Sequence, residues 1–283
     1  MNDFVFTGRG IFGNRRHAPY DVLAYLEPGL MLDIGASNGN YSKHMLNKSP
    51  QSRVMAFEPF PGNLPILRQN LADEPRVRIV EKAVSDDKGE MPFFTSSKVT
   101  SGGGKWEEGY SSLGYIVRGG VYDQTRTIMV QTISVDEAID NQRVRFMKVD
   151  VQGGEIAVLR SASRAFSEQR IDIIHLEFSG ERDVFDFVRS HGFVIFDSQY
   201  ILLPLREPAD LSNWDIVEPV KLSTGQIAHR AWPSAMPTIP DRFLDFLQTE
   251  RKKIGNAFTD LVCVSSSALP QFLNAAMRAS RGT

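Results

Sequence analysis

Four acidic residues stand at or near the end of short apolar runs: Asp33 in Met31-Leu32-Asp33-Ile34, Glu58 after Arg53–Phe57, Asp150 after Phe146–Val149, and Glu177 within Ile171–Phe178. Carboxylates gathered in one place can accept hydrogen bonds from hydroxyls, take a proton from a nucleophile, or bind a cation. Bunching them is costly unless a cation, a proton or hydrogen bonds compensate. The chemistry of such a set is therefore directed at hydroxyls and positive charge.

The elements that must position these acids are legible around the first of them. After Ile34 the chain breaks into a turn carrying Gly35 and Gly39, then resumes from Tyr41 to Leu46 with helical spacing. This is a strand, a glycine-rich turn and a helix, and glycines at such a turn let a ligand approach the backbone. A tight strand-to-helix connection with no ligand would have the same composition. Glu58 follows Gly39 at close to the roughly 20-residue interval at which Rossmann-like folds place a carboxylate on ribose hydroxyls. The glycine pattern is G-x-x-x-G, however, and not the G-x-G-x-x-G of a pyrophosphate cradle. Asp33 adds negative charge where a phosphate would be repelled. A nucleoside joined to a positive group fits these residues better, and S-adenosylmethionine answers that description. A nucleotide-dependent oxidoreductase is the rival that the glycine spacing disfavours.

Further along, Leu64, Leu67 and Leu71 make a core-facing helical stripe, and Val77 to Val84 reads as one strand. Strands are also expected at Met91–Thr95, Thr127–Thr132, Phe146–Asp150, Ile171–Phe178, Gly192–Phe196 and Asp260–Val264, and Ser134 opens a helix. The early order is β, α, β, α, β, which is half of a doubly wound parallel sheet. The fold class is α/β and Rossmann-like. Strand tips along one edge of such a sheet share a crevice, so Asp150 is expected to face the same cleft as Gly35 and Glu58. Residues 1–29 read as an N-terminal arm and 30–283 as the main domain. Insertions are expected at about 96–126, rich in glycine and aromatics, and at 199–240, rich in proline with Trp214 and Trp232; 241–253 reads as an amphipathic helix.

With 283 residues and 42% apolar content the chain can bury a large core. A net charge of -2 from 32 basic and 34 acidic side chains implies no bulk attraction to nucleic acid or anionic membranes. The lone cysteine, Cys263, excludes an intrachain disulfide and argues against cysteine-bound zinc. No apolar run reaches about 18 residues and no secretory leader is visible, so the cytosol is the expected location. The sequence is compatible with a homo-oligomer.

Taken together, Leu32-Asp33-Ile34-Gly35-Ala36-Ser37-Asn38-Gly39-Asn40-Tyr41-Ser42, Phe57-Glu58-Pro59 with Asn63 and Asn70, Ala83-Val84-Ser85-Asp86, and Lys148-Val149-Asp150-Val151-Gln152-Gly153-Gly154-Glu155 resemble the FkbM-type methyltransferases, in order and spacing over roughly residues 30–200. The resemblance implies a seven-stranded mixed sheet with an antiparallel strand at Asp260–Val264. It also implies S-adenosylmethionine-dependent methylation of a hydroxyl on a sugar or natural product. Carried over residue by residue, Gly35 and Gly39 border the methionine moiety, with Ala36 between them. Glu58, followed by Pro59, holds the ribose, Ala83 and Val84 flank the adenine, and Asp33 sits near the amino group. A methyltransferase-fold protein that has lost activity and serves as a binding partner or scaffold is the alternative from another class.

Transfer from a sulfonium needs alignment above all, and a base that takes the hydroxyl proton helps. Asp150 is the first candidate, Glu177 the second, and His175, on the same strand face as Glu177, the third; a strand histidine that is merely bonded in the core is the competing reading. A divalent ion such as magnesium held by Asp150, Glu177 and Glu155 would lower the hydroxyl's pKa instead. Glu155, at a helix start, also reads as a structural residue bonding nearby backbone. The substrate expected is a small hydroxyl compound, a carbohydrate among the choices.

Overall fold

The computed structural model describes residues 18–95, 126–178, 180–197, 214–221, 227–233 and 259–281. The expected arm before residue 18, the aromatic insertion between 96 and 125 and the helix expected at 241–253 lie outside the described residues. The chain divides into two compact units, one of Pro28–Ile171 and one of Met1–Glu27 with Asp172–Thr283.

In the first unit the elements alternate as the apolar periodicity requires. They are β1 (Leu30–Ile34), α1 (Asn40–Lys48), β2 (Arg53–Phe57), α2 (Leu64–Asn70), β3 (Val77–Val80), β4 (Ala83–Val84), β5 (Glu90–Thr95), β6 (Arg126–Ile133), α3 (Val135–Ile139), β7 (Val144–Val149), α4 (Glu155–Arg160) and α5 (Ser163–Ser167). Every residue of β1 is buried, as a strand covered on both faces of a parallel sheet must be. Leu32, Ile34, Phe57, Leu67 and Phe146 are at most 1% exposed and form its core. Each such side chain contributes about 1.5–3 kcal/mol by leaving water. Ser134 caps α3 by accepting the amide of Glu137 at 3.1 Å, which is why the helix starts there.

The second unit holds a 3-10 helical segment (Ala18–Tyr25), β8 (Ile171–Phe178), α6 (Arg182–Ser190), β9 (Phe193–Asp197), β10 (Trp214–Lys221), β11 (Ile227–Pro233), β12 (Thr259–Ser265) and α7 (Leu269–Arg281). Tyr20, Val22 and Leu23 are buried, so this end of the N-terminal arm is packed. The guanidinium of Arg278 lies 4.6 Å from the centroid of the Tyr25 ring, a cation–π contact between α7 and the 3-10 segment.

Seven strands make one sheet in the order β3-β2-β1-β7-β8-β12-β9. β1 pairs in parallel with β2 and β7, β2 in parallel with β3, and β12 antiparallel with both β8 and β9. The antiparallel strand implied at Asp260–Val264 is β12. Two expectations are corrected. Val77–Val84 is not one strand: the chain leaves the main sheet after Val80, and Ala83–Val84 pairs with Thr132 and Ile133 of β6 in a separate sheet of order β4-β6-β5. Within the stretch expected to be irregular from 199 to 240, β10 and β11 form an antiparallel pair. Pro219 and Pro233 suggest breaks, yet a two-stranded ribbon consists only of edges, where proline is tolerated.

Candidate active site

Parallel pairing puts the site's residues level with one another. Ile34 of β1 stands opposite Phe57 of β2 on one side and Val149 of β7 on the other. The next residue in each chain is Gly35, Glu58 and Asp150, so the glycine turn is flanked by a carboxylate from each neighbouring strand. This is the carboxyl edge of the strands, where open α/β sheets bind their ligands.

Five amides of the turn, those of Gly35, Ala36, Ser37, Gly39 and Asn40, donate within the protein. Gly35 and Ala36 both donate to the Phe57 carbonyl, at 3.1 and 2.9 Å, and Gly39 donates to the Ala36 carbonyl at 2.8 Å. Ser37, at φ 49°, donates to Glu58 Oε2 at 2.7 Å, and Asn40 to Asn38 Oδ1 at 3.1 Å. Asn70 of α2 holds the Asn38 carbonyl at 2.8 Å. A pyrophosphate cradle needs such amides pointing at the ligand, so this turn is a poor anion site. The glycines also serve a purpose other than admitting a ligand. At Gly35, φ +80°, a Cβ would lie 2.0 Å from the backbone oxygen of Asp150, and at Gly39, φ +81°, 2.9 Å from Leu67 Cδ1. Close packing of the β1 turn against the β7 tip and α2 requires glycine at these positions.

Glu58 is 4% exposed and braces the turn from β2. Its Oε2 takes the Ser37 amide, its Oε1 takes the Phe60 amide at 2.8 Å, and its own amide donates to the Val80 carbonyl of β3 at 3.1 Å. Burial raises its pKa above the ordinary glutamate value, opposed by hydrogen bonds from Phe60, Ser37 and Asn63 and by the charge of Lys148. A carboxylate offers about four lone-pair directions, so capacity for a hydroxyl donor remains. Pro59 and Phe60 turn the chain toward the small sheet, where Phe60 stacks on Phe93 at 6.4 Å and packs with Ala83 and Val130. Ala83 and Val84 are each 4% exposed in that cluster's strand, β4.

Lys148, penultimate in β7, opens a motif of the sequence, yet the sequence assigns it no role. Its side chain is 3% exposed, and its Nζ donates to the Gly35 carbonyl at 2.7 Å. The same Nζ lies 3.2 Å from Asp33 Oδ1, 3.7 Å from Asp150 Oδ2 and 4.9 Å from the centre of the Tyr41 ring. Burial by itself would push its pKa down, but Asp33, Asp150 and Tyr41 outweigh that and hold it above the ordinary lysine value. Asp33 is fully buried and also accepts the Ser42 hydroxyl at 2.6 Å. Asp33 therefore already has a cation. Asp150 is the open member of the group, 31% exposed, with Gln152 Nε2 on its Oδ1 at 2.6 Å.

Glu155, at the start of α4, accepts the Gly153 amide at 2.9 and 3.1 Å and the Val151 amide at 3.3 Å. It secures the turn in which Gln152 and Gly153 have φ 60° and 109°. Glu155 belongs to the set expected, with Asp150 and Glu177, to hold a divalent ion. Glu155 is committed to the backbone, and among the described residues no group of at least three His, Cys, Asp or Glu side chains is arranged to hold a metal. Glu177 lies on β8 opposite Asp260, and His175 on the same strand opposite Val262. His175 is 7% exposed, and its Nδ1 is 3.2 Å from the Tyr20 hydroxyl, with the rings in an edge contact at 5.2 Å.

The family model described as the methyltransferase FkbM domain matches residues 33–195, more than half of the chain. The chain belongs to the FkbM methyltransferase family. Among its relatives is the 2-O-methyltransferase NoeI of Sinorhizobium fredii, 26% identical over 159 residues that make up 54% of this chain and 64% of NoeI. Another is the methyltransferase sdnD of Sordaria araneosa, 25% identical over 163 residues, 50% of this chain and 63% of sdnD. The chain thus spans less than two thirds of either relative. The crystal structure of methyltransferase FkbM from Methylobacillus flagellatus KT is 17% identical with a TM-score of 0.41, covering 62% of this chain and 43% of that one. Among the described residues of the present chain, no helix is long and apolar enough to cross a membrane.

Proposed function

We propose that this protein binds S-adenosylmethionine at the β1, β2 and β7 tips and transfers its methyl group to a hydroxyl of a small molecule of the sugar or natural-product kind. The observation that carries the reading is a set of acceptors: Glu58 and Asp150 flank the glycine turn at one edge, with Asp33 behind it paired to Lys148, while the Gly35, Ala36, Ser37 and Gly39 amides that an anion would use are already satisfied. That set suits a nucleoside bearing a positive charge and is hostile to a dinucleotide's phosphates. The name of NoeI, a 2-O-methyltransferase, supports oxygen as the acceptor atom.

When bound, the cofactor supplies a methyl carbon on a sulfonium, already an activated leaving group. Glu58 would accept a ribose hydroxyl, and the Gly35–Gly39 turn, held by Lys148 and Asn70, would shape the wall beside it. Asp150, exposed enough to meet an acceptor, would take the proton of the acceptor hydroxyl as that oxygen receives the methyl group. His175, bonded to Tyr20, supports β8 from within the core.

The test begins with calorimetric titration of the full chain with S-adenosylmethionine and with NAD. Binding of the first alone is expected, and binding of NAD alone would overturn the reading. A mass-spectrometric screen of hydroxyl compounds incubated with protein and cofactor then identifies the acceptor by a gain of one methyl group. With that acceptor, Asp150→Asn should cut turnover by roughly 10²–10⁴-fold with cofactor affinity retained. Undiminished turnover would remove Asp150 from the role.

A further inference from the structure

Three carboxylates of the first unit, Asp33, Glu58 and Asp150, share the edge with one buried ammonium, that of Lys148. An ammonium has three N–H donors, and here the Gly35 carbonyl, Asp33 and Asp150 surround it at 2.7, 3.2 and 3.7 Å. Its division is unequal. Asp33 is sealed from solvent and closer, so most of its charge is cancelled; Asp150 is farther and partly open, so it keeps more of its own. Charges sheltered in this way are poorly screened by water and salt, so a change of one unit here is felt by a charged ligand nearby.

We propose that Lys148 is a positioning residue that fixes the Gly35 carbonyl and, by cancelling Asp33 while only partly offsetting Asp150, sets how strongly this edge prefers a positively charged methyl donor over its neutral thioether product. The inference rests on the S-adenosylmethionine reading above. It assigns to Lys148 the ratio of affinities for S-adenosylmethionine and S-adenosylhomocysteine, which differ in the charge on sulfur. Loss of Lys148 makes the edge more negative and should favour the sulfonium; loss of the Asp33 charge makes it more positive and should do the reverse.

The experiment measures the dissociation constants of both compounds by calorimetry for the full-length wild type, Lys148→Met, Asp33→Asn and the double variant. The ratio of thioether to sulfonium dissociation constants should rise about fivefold in Lys148→Met and fall about fivefold in Asp33→Asn. In the double variant it should return to about the wild-type ratio, even though both compounds bind more weakly because the Gly35 carbonyl has lost its donor. A purely structural role for Lys148 would weaken both ligands together, so a ratio that stays constant across the variants overturns the proposal. Lys148→Met leaves a buried carboxylate without its cation and is the variant most exposed to misfolding. If it does not fold, Asp33→Asn and the charge-balanced double variant still read the ratio, and an unmoved ratio in Asp33→Asn overturns the inference. A wild type that binds neither compound refutes the methyl-donor reading itself, an outcome distinct from binding with an unmoved ratio.

Discussion

Replacing Gly35 with alanine would put a methyl group 2.0 Å from the backbone oxygen of Asp150, at a φ of +80°. Two costs are combined there, and Gly192 separates them. Gly192 has nearly the same φ, +76°, but the nearest atom to its added Cβ is Ser266 Oγ at 4.0 Å, an ordinary contact. A side chain in the left-handed region costs about 1–2 kcal/mol, and the reduced freedom of the unfolded chain returns about 0.4–1 kcal/mol. Gly192→Ala should therefore lose roughly 1 kcal/mol. Gly35→Ala carries the same strain plus an overlap with a backbone atom that cannot rotate away, worth about a further 1–3 kcal/mol. A total of about 3 kcal/mol is expected, with the displaced Asp150 also weakening the binding of S-adenosylmethionine. Urea unfolding of both variants, followed by circular dichroism and compared at equal slope, gives the difference directly. If the two variants lose the same stability, Gly35 is required only for its dihedral angle, and the claim that it lets the β1 turn close on the β7 tip is wrong.

Glu58 predicts a pH dependence. Its folded pKa is raised, so folding favours its protonated form, and its contribution is fully present below the ordinary value of 4.5 and is lost as pH rises through the folded pKa. The stability of Glu58→Gln minus that of the wild type should therefore increase as pH is raised from 4.5, in urea titrations at several pH values; parallel curves would contradict the assigned direction. Glu155→Ala strips the Gly153 and Val151 amides of their acceptor and should cost about 2 kcal/mol, as measured by denaturant midpoint, with Glu155→Gln losing less. Tyr20→Phe removes the hydroxyl bound to His175 and keeps the ring, so a thermal melt should register a loss of about 1 kcal/mol.

Much of the candidate site's layout could be read along the chain because its parts are local. An apolar run, an acid, a glycine turn and a helix follow one another within about a dozen residues at Asp33–Tyr41 and again at Lys148–Glu155, and parallel topology brings two such tips together. The hidden parts depend on distant partners. Lys148 looks like an ordinary strand residue until Asp33 and Gly35, more than a hundred residues earlier, are set beside it. The break after Val80 was illegible for the same reason, since β4 is drawn off by Thr132 and Ile133 of β6. Proline masked β10 and β11, because a breaker in a central strand is acceptable in a two-stranded ribbon.

What the amino-acid order determined by itself was the alternation of strands and helices, the acid at each tip and the preference of those acids for hydroxyls and positive charge. Periodicity and residue chemistry are properties of neighbouring positions. Only the tertiary structure decided which acid is sealed against a lysine, which is braced by backbone amides and which stays open to a substrate. Exposure and charge pairing arise from atoms that the chain separates and the sheet brings together.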